Sequence, residues 1–488
     1  MLTVTNSDED SAPKTREADV WRDLGRLVAA HLVMLRDEGI LDDAAAAALH
    51  AALDGTRRGA APTVDSLAEL IAAFDARLDA LAPAGTVGAA AVGRAPSELV
   101  AALTRLAARE GLLRFAIAVN EARAALLDLA AAHAVTLMPA YHSGQAAQPT
   151  TFAHFLGGVL APLGRAAGRL PAVYAEIDRS PLGALWLAST SLPISRERTA
   201  ELLGFDGLLT NTYDAVAAVD QVALLAEAVA AVVAAIRRFL EEVLTWLRTE
   251  PASFRLGDVW RGYDTGLPQG GPPVGLERLA LAARRIEGDA ASLVRLAREA
   301  PYGPAVALLE ATDPLQRRLL VDGRELSART ADLITTGLEP NRAYLANRAG
   351  RAHTTSSDLA DFLMIEEGLE PIAARNVAAL TIGKAIEQGI EVSGITSEMI
   401  DAAALLIVGR ELGVEFENIS RHLAPRRFIE RRTTTGSPAP NATRVYLDLE
   451  RQRLAADVAW CDAAANRLAT AGADLDRAEA DAIANADG

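Results

Sequence analysis

Apolar residues recur along most of the chain at intervals of three and four positions, which is the spacing of one face of an α-helix. The segment 219–247 is the clearest case. Its apolar positions are Val222, Leu225, Val229, Val232, Val233, Ile236, Leu240, Val243 and Leu247. A face this wide has to be buried over much of the circumference of the helix. The pattern therefore predicts a long helix within a bundle.

Other segments carry the same pattern over unusual lengths. They are 98–138, 152–177, 276–298 and 313–347. Pro162 and Pro171 predict a kink or break in the second of these, and Gly323 and Gly337 mark possible breaks in the last. Long helices that are weakly charged along one whole side are typical of a bundle that continues across subunits. We therefore expect an oligomer held by these helices, with Val229 and Val232 in the interface between subunits.

The remaining segments suggest how the chain is divided. Shorter helices are predicted at 357–366, 371–388 and 397–411, and a closing helix at 441–468 precedes an Ala- and Asp-rich tail that we expect to be disordered. The predicted fold class is all-α with three domains. These are an N-terminal helical domain (1–110), a central long-helix bundle for oligomerisation (111–356) and a C-terminal helical domain (357–488).

Composition and charge narrow the classes of function. The formal net charge of −16 repels phosphate backbones, so no nucleic-acid partner is expected. Cys461 is the only cysteine and no Cys/His cluster has zinc-site spacing, so we predict no disulfide, metal or other cofactor. The N-terminus lacks the pattern of a secretory signal, and the most apolar stretch, 222–236, contains Glu227 and is too short to span a bilayer. We expect a cytoplasmic protein with no membrane role.

Several blocks resemble the argininosuccinate lyases of the fumarase and aspartase superfamily, in the order of that family. They are 145–151 (QAAQPTT), 180–184 (SPLGA), 190–194 (TSLPI), 199–205 (TAELLGF), 211–216 (NTYDAV), 354–363 (TTSSDLADFL) and 436–440 (GSPAP). The resemblance covers nearly the whole chain. It implies a three-domain, all-α subunit, a homotetramer whose active sites each combine several subunits, and elimination of a nitrogen or oxygen leaving group from a succinyl skeleton.

The family's catalytic loop, Gly-Ser-Ser-x-Met-Pro-Gln-Lys-Lys-Asn-Pro, is changed in this chain. The similar stretch is 263–273 (YDTGLPQGGPP), with Asp264 and Thr265 at the two serines. Gly270 stands at the lysine and Pro272 at the asparagine. In the family, a serine of this loop is the base, and the lysine and asparagine hold a substrate carboxylate. The resemblance therefore implies that the cation and the amide are missing.

The family's Tyr-Thr-His-Leu-Gln motif corresponds to residues 141–145 (YHSGQ). Ser143 takes the place of the histidine that helps to protonate the leaving group, and His142 lies one residue earlier. On a helix or helix-entry turn, a shift of one residue re-aims a side chain by about 100°. His142 is therefore not expected to inherit the family role unchanged.

Two further motifs keep only one residue each. The segment 94–98 (RAPSE) resembles the family's Arg-Ser-Arg-Asn-Asp loop and keeps Arg94, while 302–307 (YGPAVA) keeps only Tyr302 of a Tyr-Asn-x-Asp-x-Gln segment. A dicarboxylate would find few partners here, and burying an unpaired carboxylate costs several kcal/mol. Ordinary cleavage of argininosuccinate is therefore not expected.

The candidate catalytic residues are Asp264 and His142. Asp264 is a candidate general base, because a carboxylate under a closed loop can have its pKa raised towards working pH, although a solvated loop aspartate would look the same. His142 is a candidate for proton transfer or for a satisfied cleft histidine. Candidate substrate-binding residues are Arg94, Tyr141, Ser143, Gln145, Gln148, Thr265 and Tyr302, and for each a structural hydrogen bond or ion pair is the alternative. His133 and His154 are assigned no chemistry.

The leading hypothesis is an enzyme of specialised metabolism that acts on a small molecule other than argininosuccinate. Its reaction type would be proton abstraction followed by elimination of a carbon–nitrogen or other carbon–heteroatom bond. One alternative is a catalytically silent paralogue with a binding or assembly role, and another is rearrangement or cyclisation in an apolar cleft. An open apolar pocket with convergent polar groups favours an enzyme, whereas a filled cleft favours the silent paralogue.

Overall fold

The structure is a computed structural model that describes residues 12–262, 271–351 and 353–484. The helices are α1 (Ala12–Asp37), α2 (Asp43–Arg57), α3 (Leu67–Leu81), α4 (Pro96–Ala132), α5 (Phe152–Ala167), α6 (Leu170–Ile177), α7 (Arg196–Leu202), α8 (Thr212–Ala217), α9 (Asp220–Thr249), α10 (Val274–Arg298), α11 (Val306–Asp332), α12 (Arg342–Ala349), α13 (Ser356–Ile365), α14 (Pro371–Glu387), α15 (Ser397–Val408), α16 (Phe416–Leu423), α17 (Pro425–Glu430) and α18 (Pro440–Ala484). The strands are β1 (Leu137–His142), β2 (Gln145–Thr151), β3 (Phe254–Leu256) and β4 (Leu338–Pro340). The predicted all-α class is confirmed, with two small antiparallel ribbons, β1–β2 and β3–β4, that the sequence pattern did not predict.

The long helices α4, α9, α10 and α11 form the predicted central bundle. Helix α4 packs along α11, and α9 packs along α10. The apolar stripe of α9 lies in the core of the subunit, where Val229 and Val232 are fully buried. The expectation that these two valines face a neighbouring subunit was therefore wrong, because their own chain already covers them. Within the described residues, no helix is both long and apolar enough to cross a membrane.

Proline and glycine act at different points of the predicted helices. The break predicted in 152–177 is confirmed: α5 runs through Pro162 and ends at Ala167, and Pro171 lies in the first turn of α6, where its missing N–H costs little. Helix α11 is uninterrupted at Gly323, where a Cβ atom would lie 3.1 Å from Phe115 Cε2 of α4. This glycine therefore allows close helix packing and does not break the helix.

The C-terminal part contributes to two separate cores. Helices α13 to α16 enclose one buried cluster, which includes Phe362, Val377 and Ile400. Helix α18 instead packs against α2, α4 and α5, and its Leu447 and Leu475 belong to the main core. The boundaries of the three domains stay a prediction.

The closing helix is longer than the sequence pattern predicts. The disordered tail expected beyond residue 468 is helical to Ala484, with Leu475 buried. Arg57 of α2 donates two hydrogen bonds to Glu479, of 2.9 and 2.8 Å. Apolar contact and this ion pair hold the segment against the N-terminal helices, so composition alone misjudged it.

Candidate functional site

The residues that correspond to the family's histidine motif lie on the β1–β2 hairpin. His142 pairs with Gln145, and the two residues between them, Ser143 and Gly144, have φ angles of +51° and +77°. Two consecutive left-handed residues make a type I′ turn, which matches the twist of a tight hairpin. The expectation of a helix or helix-entry turn was wrong. Because strand side chains alternate, Tyr141 and His142 point to opposite faces of the hairpin.

Tyr141 is held by a hydrogen-bonded chain. Its hydroxyl donates to Glu250 Oε2 at 2.7 Å, and Arg348 donates to Glu250 Oε1 at 2.7 and 3.1 Å. Burial raises the pKa of Tyr141, and the hydrogen bond to the carboxylate raises it further. Burial also acts to raise the pKa of Glu250, but the hydrogen bonds from Arg348 and Tyr141 outweigh it and hold that pKa below its ordinary value. Tyr141 is thus a fixed hydrogen-bond donor.

The tip of the hairpin is exposed in the single chain. His142, Ser143 and Gln145 all lie at the surface, with His142 Nδ1 3.4 Å from Ser143 Oγ. Gln148, nearer the base, donates from Nε2 to Ser357 Oγ of α13 at 3.2 Å. The hairpin therefore spans from the main core to the C-terminal helices.

Arg94 and Tyr302 lie in other surroundings. Arg94, with a side chain only 4% exposed, pairs with Asp75 of α3, as the alternative of a salt bridge anticipated. Tyr302 is 78% exposed, stacks on Tyr213 with ring centroids 6.2 Å apart, and donates to Asp214 Oδ1 at 3.3 Å. Within one subunit, Arg94 and Tyr302 therefore do not lie at the same site as the hairpin residues. Asp264 and Thr265 lie outside the described residues, so their roles stay predictions.

A cleft of about 700 Å³ opens at the base of the hairpin. It is bounded by β1, β2, α5, α9 and the segment from Phe428 to Tyr446, and both Tyr141 and Gln148 line it. Its wall is aromatic: Phe155 and Trp246 have ring centroids 4.7 Å apart, and Phe239 lies on the same side. Of the predicted binding residues that the structure describes, Tyr141 and Gln148 are therefore the two that line this cleft together.

Several polar groups of the cleft already have protein partners. His154 Nε2 donates to Gly436 O at 3.0 Å, so in the neutral ring Nδ1 accepts from the Thr150 hydroxyl at 2.8 Å. Burial lowers the pKa of His154, and both ring nitrogens are occupied. Tyr446 donates to Gly157 O at 3.2 Å, and Arg432 pairs with Asp358 at 2.6 Å. These side chains shape the cleft without offering free groups.

Arg238 and Glu242 of α9 are polar cleft residues that the sequence interpretation missed. Among the described residues, neither has an ion-pair or hydrogen-bond partner. Burial raises the pKa of Glu242. The sequence offers no signal that separates this pair from Arg237 and Glu241, which lie one position earlier on the same helix with the same spacing. Within the described part of the chain, no group of three or more His, Cys, Asp or Glu side chains is arranged to hold a metal ion.

Comparisons with known proteins agree with the fold and with the family resemblance. The model of a family described as Lyase matches residues 30–288. The argininosuccinate lyase of Methanoculleus marisnigri is 31% identical over 462 residues, covering 93% of this chain and 92% of the relative. That of Methanosarcina barkeri is 30% identical over 450 residues, covering 90% and 89%.

Solved structures show the same architecture. EDDS lyase in complex with formate has a TM-score of 0.87 and 28% identity, covering 98% of this chain and 95% of that one. A class II fumarase from Schistosoma mansoni, at 14% identity and a TM-score of 0.68 over 86% and 92% of the two chains, shares the fold. The chain belongs to the argininosuccinate lyase family and is a lyase of the fumarase and aspartase superfamily.

Proposed function

We propose that this protein is a carbon–heteroatom lyase that acts on a small molecule other than argininosuccinate. The observation that carries the proposal is the open, aromatic-lined cleft of about 700 Å³ beside a recognisable family motif. Small-molecule sites are typically concave, about 300–1,000 Å³ in volume and mostly apolar with a few placed polar groups. A catalytically silent subunit has no need to keep such a cleft open.

The changed motifs support a different substrate. Gly270 and Pro272 stand where the family has the lysine and asparagine that hold a carboxylate. Arg94, the cation kept from the family's substrate loop, is paired with Asp75 and nearly buried. A second substrate carboxylate would therefore lose most of its partners.

The proposed active site combines several subunits of a homotetramer. The hairpin tip, Arg94 and Tyr302 are separate in one chain, as a shared site requires. The bundle helices also leave apolar side chains exposed, including Leu281 at 64% and Leu296 at 40% on α10 and Val321 at 50% on α11. Exposed apolar side chains on long helices are characteristic of faces that another subunit covers. In this assembly, His142 and Asp264 are the proposed proton-transfer residues.

The first test uses the substrates of authentic relatives. The purified protein should release no fumarate from argininosuccinate or from adenylosuccinate, monitored by ultraviolet absorbance beside an authentic argininosuccinate lyase. Release at a comparable rate would show that the missing lysine and asparagine are not needed, and would contradict the proposed change of substrate.

The second test looks for lyase chemistry directly. EDDS lyase, a relative by structure, has been solved as a variant with bound fumarate. In the reverse of an elimination, an amine adds its nitrogen to one alkene carbon and a proton to the other. The protein should consume at least one unsaturated acid, from a panel that includes monocarboxylic acids as well as fumarate, in the presence of at least one amine from a broad panel. Absence of turnover with every combination would favour the silent paralogue.

A further inference from the structure

Two pairs of charged residues on α9 have different surroundings. Arg237 pairs with Glu287 of α10 at 2.9 Å, and Glu241 pairs with Arg284 of α10 at 2.5 Å. The next residue after Arg237 is Arg238, and the next after Glu241 is Glu242. Arg238 and Glu242 line the cleft instead. Within the described parts of the chain, both lack an ion-pair or hydrogen-bond partner. One side of α9 is therefore neutralised by protein, and the other presents two charges to the cleft.

Helix geometry alone does not keep Arg238 and Glu242 apart. On α10, Arg295 and Glu299 have the same order and spacing and pair at 3.1 Å. The rise between positions i and i+4 is about 6 Å, which side chains of this length can span. The open pair on α9 thus leaves a cation and an anion one helical turn apart, facing the same cavity.

The surroundings of Glu242 favour a cationic ligand. Burial raises the pKa of this carboxyl, because the charged form loses water without gaining a protein partner. An ammonium group placed beside it would restore a favourable interaction. Arg432, His154 and Tyr446 are bound to protein groups and do not compete for Glu242.

The remaining wall favours an apolar body on the ligand. Phe155 and Trp246 form one face, and Phe239 follows Arg238 directly. Aromatic faces attract apolar and aromatic groups and also stabilise a nearby cation. The cleft therefore joins one site for a cation, one site for an anion and one apolar surface.

We propose that this cleft binds a zwitterionic amino acid with a large apolar side chain. Its ammonium group would contact Glu242, its carboxylate would contact Arg238, and its side chain would pack on Phe155 and Trp246. In an α-amino acid the ammonium and carboxylate groups are attached to the same carbon, so the molecule can bridge two oppositely charged side chains one helical turn apart. The proposal goes beyond the proposed function by assigning a ligand class to this cleft, and the binding that it describes does not depend on turnover.

Calorimetric titration of the full-length protein tests the binding without any turnover. The probes are L-phenylalanine, L-tyrosine, L-tryptophan and L-leucine. At least one should bind saturably at up to millimolar concentration. Its analogues without the carboxylate, without the ammonium group or without the apolar side chain should each bind about tenfold or more weakly, since a lost contact of about 1.4 kcal/mol is tenfold in affinity. For L-phenylalanine these are phenethylamine, 3-phenylpropanoate and L-alanine.

Substitutions locate the site. Glu242→Gln and Arg238→Gln should each weaken binding about tenfold or more. Glu241→Gln and Arg237→Gln are matched controls on the same helix, and they should bind as the wild type does. No binding of any of the four amino acids, an analogue without one of these three groups that binds equally well, or unchanged affinity in Glu242→Gln would each overturn the proposal. Fumarate turnover without amino acid binding would contradict this inference alone, and binding without turnover would contradict the lyase function alone.

Discussion

Glu98 links the fold to pH at the scale of a single residue. Its carboxylate accepts hydrogen bonds from the backbone N–H groups of Leu185 at 2.6 Å and Ala95 at 3.2 Å, which ties the loop after α6 to the start of α4. Burial raises its pKa from 4.5 to about 7, despite these hydrogen bonds and the nearby Arg94. The folded protein therefore holds a proton that the unfolded chain has released between these two pH values.

The sign of the resulting pH dependence follows from proton counts. Because the folded state binds more protons between pH 4.5 and about 7, the free energy of unfolding falls as pH rises through this window. The loss is on the order of 3 kcal/mol, from about 1.4 kcal/mol for each pKa unit. Glu98→Gln cannot titrate and should lack this slope in denaturant unfolding measured across the window.

The titration of His31 has the opposite effect on the free energy of unfolding over part of the same pH range. Burial, followed by the charge of Arg94, lowers its pKa from 6.5 to about 3, so the unfolded chain binds this proton first as pH falls. The wild type and the Glu98→Gln variant both contain His31, so its contribution cancels when their stabilities are compared. Parallel stability curves for the two proteins would exclude a titrating Glu98.

His142 and Asp264 carry the prediction for catalysis. With any substrate that the amine panel identifies, His142→Ala and Asp264→Asn should each lower kcat by roughly 10²- to 10⁴-fold, the usual contribution of a general acid or base. His142 is exposed at the hairpin tip, so its replacement should leave thermal unfolding unchanged. Activity near that of the wild type in both variants would remove these residues from the mechanism.

At the scale of elements, a buried ion network joins distant parts of the chain. Asp178, just after α6, pairs with Arg109 of α4 at 2.9 Å, and both side chains are fully buried. Its second oxygen accepts from Arg467 of α18. Arg109 also donates to the backbone oxygens of Leu203 and Gly204, at 3.0 and 3.1 Å. The network therefore fixes α18 against α4.

Removing the charge of Asp178 should be strongly destabilising. Asp178→Asn leaves Arg109 buried without a counter-charge, which costs about 3–5 kcal/mol of unfolding free energy. The control is Asp474→Asn on α18, where the pair with Arg477 is exposed and worth about 1 kcal/mol or less. Denaturant unfolding of both variants measures the difference. Equal, small losses would mean that solvent reaches the network.

At the scale of the whole molecule, two substitutions separate folding from assembly. Leu281 on α10 is 64% exposed, whereas Val229 on α9 is fully buried. Leu281→Asp should fold but dissociate the proposed homotetramer, because it places an unpaired charge in an apolar contact between subunits. Val229→Asp should instead destabilise the subunit itself.

Light scattering and circular dichroism distinguish the two outcomes. Leu281→Asp should keep the helical circular dichroism spectrum but have a mass below that of the tetramer. Val229→Asp should lose both the helical spectrum and the tetramer. A wild-type protein that is monomeric at micromolar concentration would contradict the homotetramer. A tetrameric Leu281→Asp variant would place the interface on other helix faces.

The sequence by itself determined which segments are helical and where prolines interrupt them. A period of 3.6 residues and the missing N–H of proline act within one or two turns, so they can be identified locally. The same locality explains the errors. The β1–β2 hairpin depends on the left-handed turn at Ser143 and Gly144, and the end of α18 depends on contacts with α2.

Only the tertiary structure decided what each helix face contacts. In the sequence, Arg237 and Glu241 look the same as Arg238 and Glu242, since both are arginine–glutamate pairs with the same spacing. The first two have counter-charges on α10, 50 and 43 positions further along the chain. The second two face the cleft between α9, α5 and the hairpin. Charge pairing depends on elements that are remote in sequence, and therefore the candidate ligand site became visible only once the helices were packed.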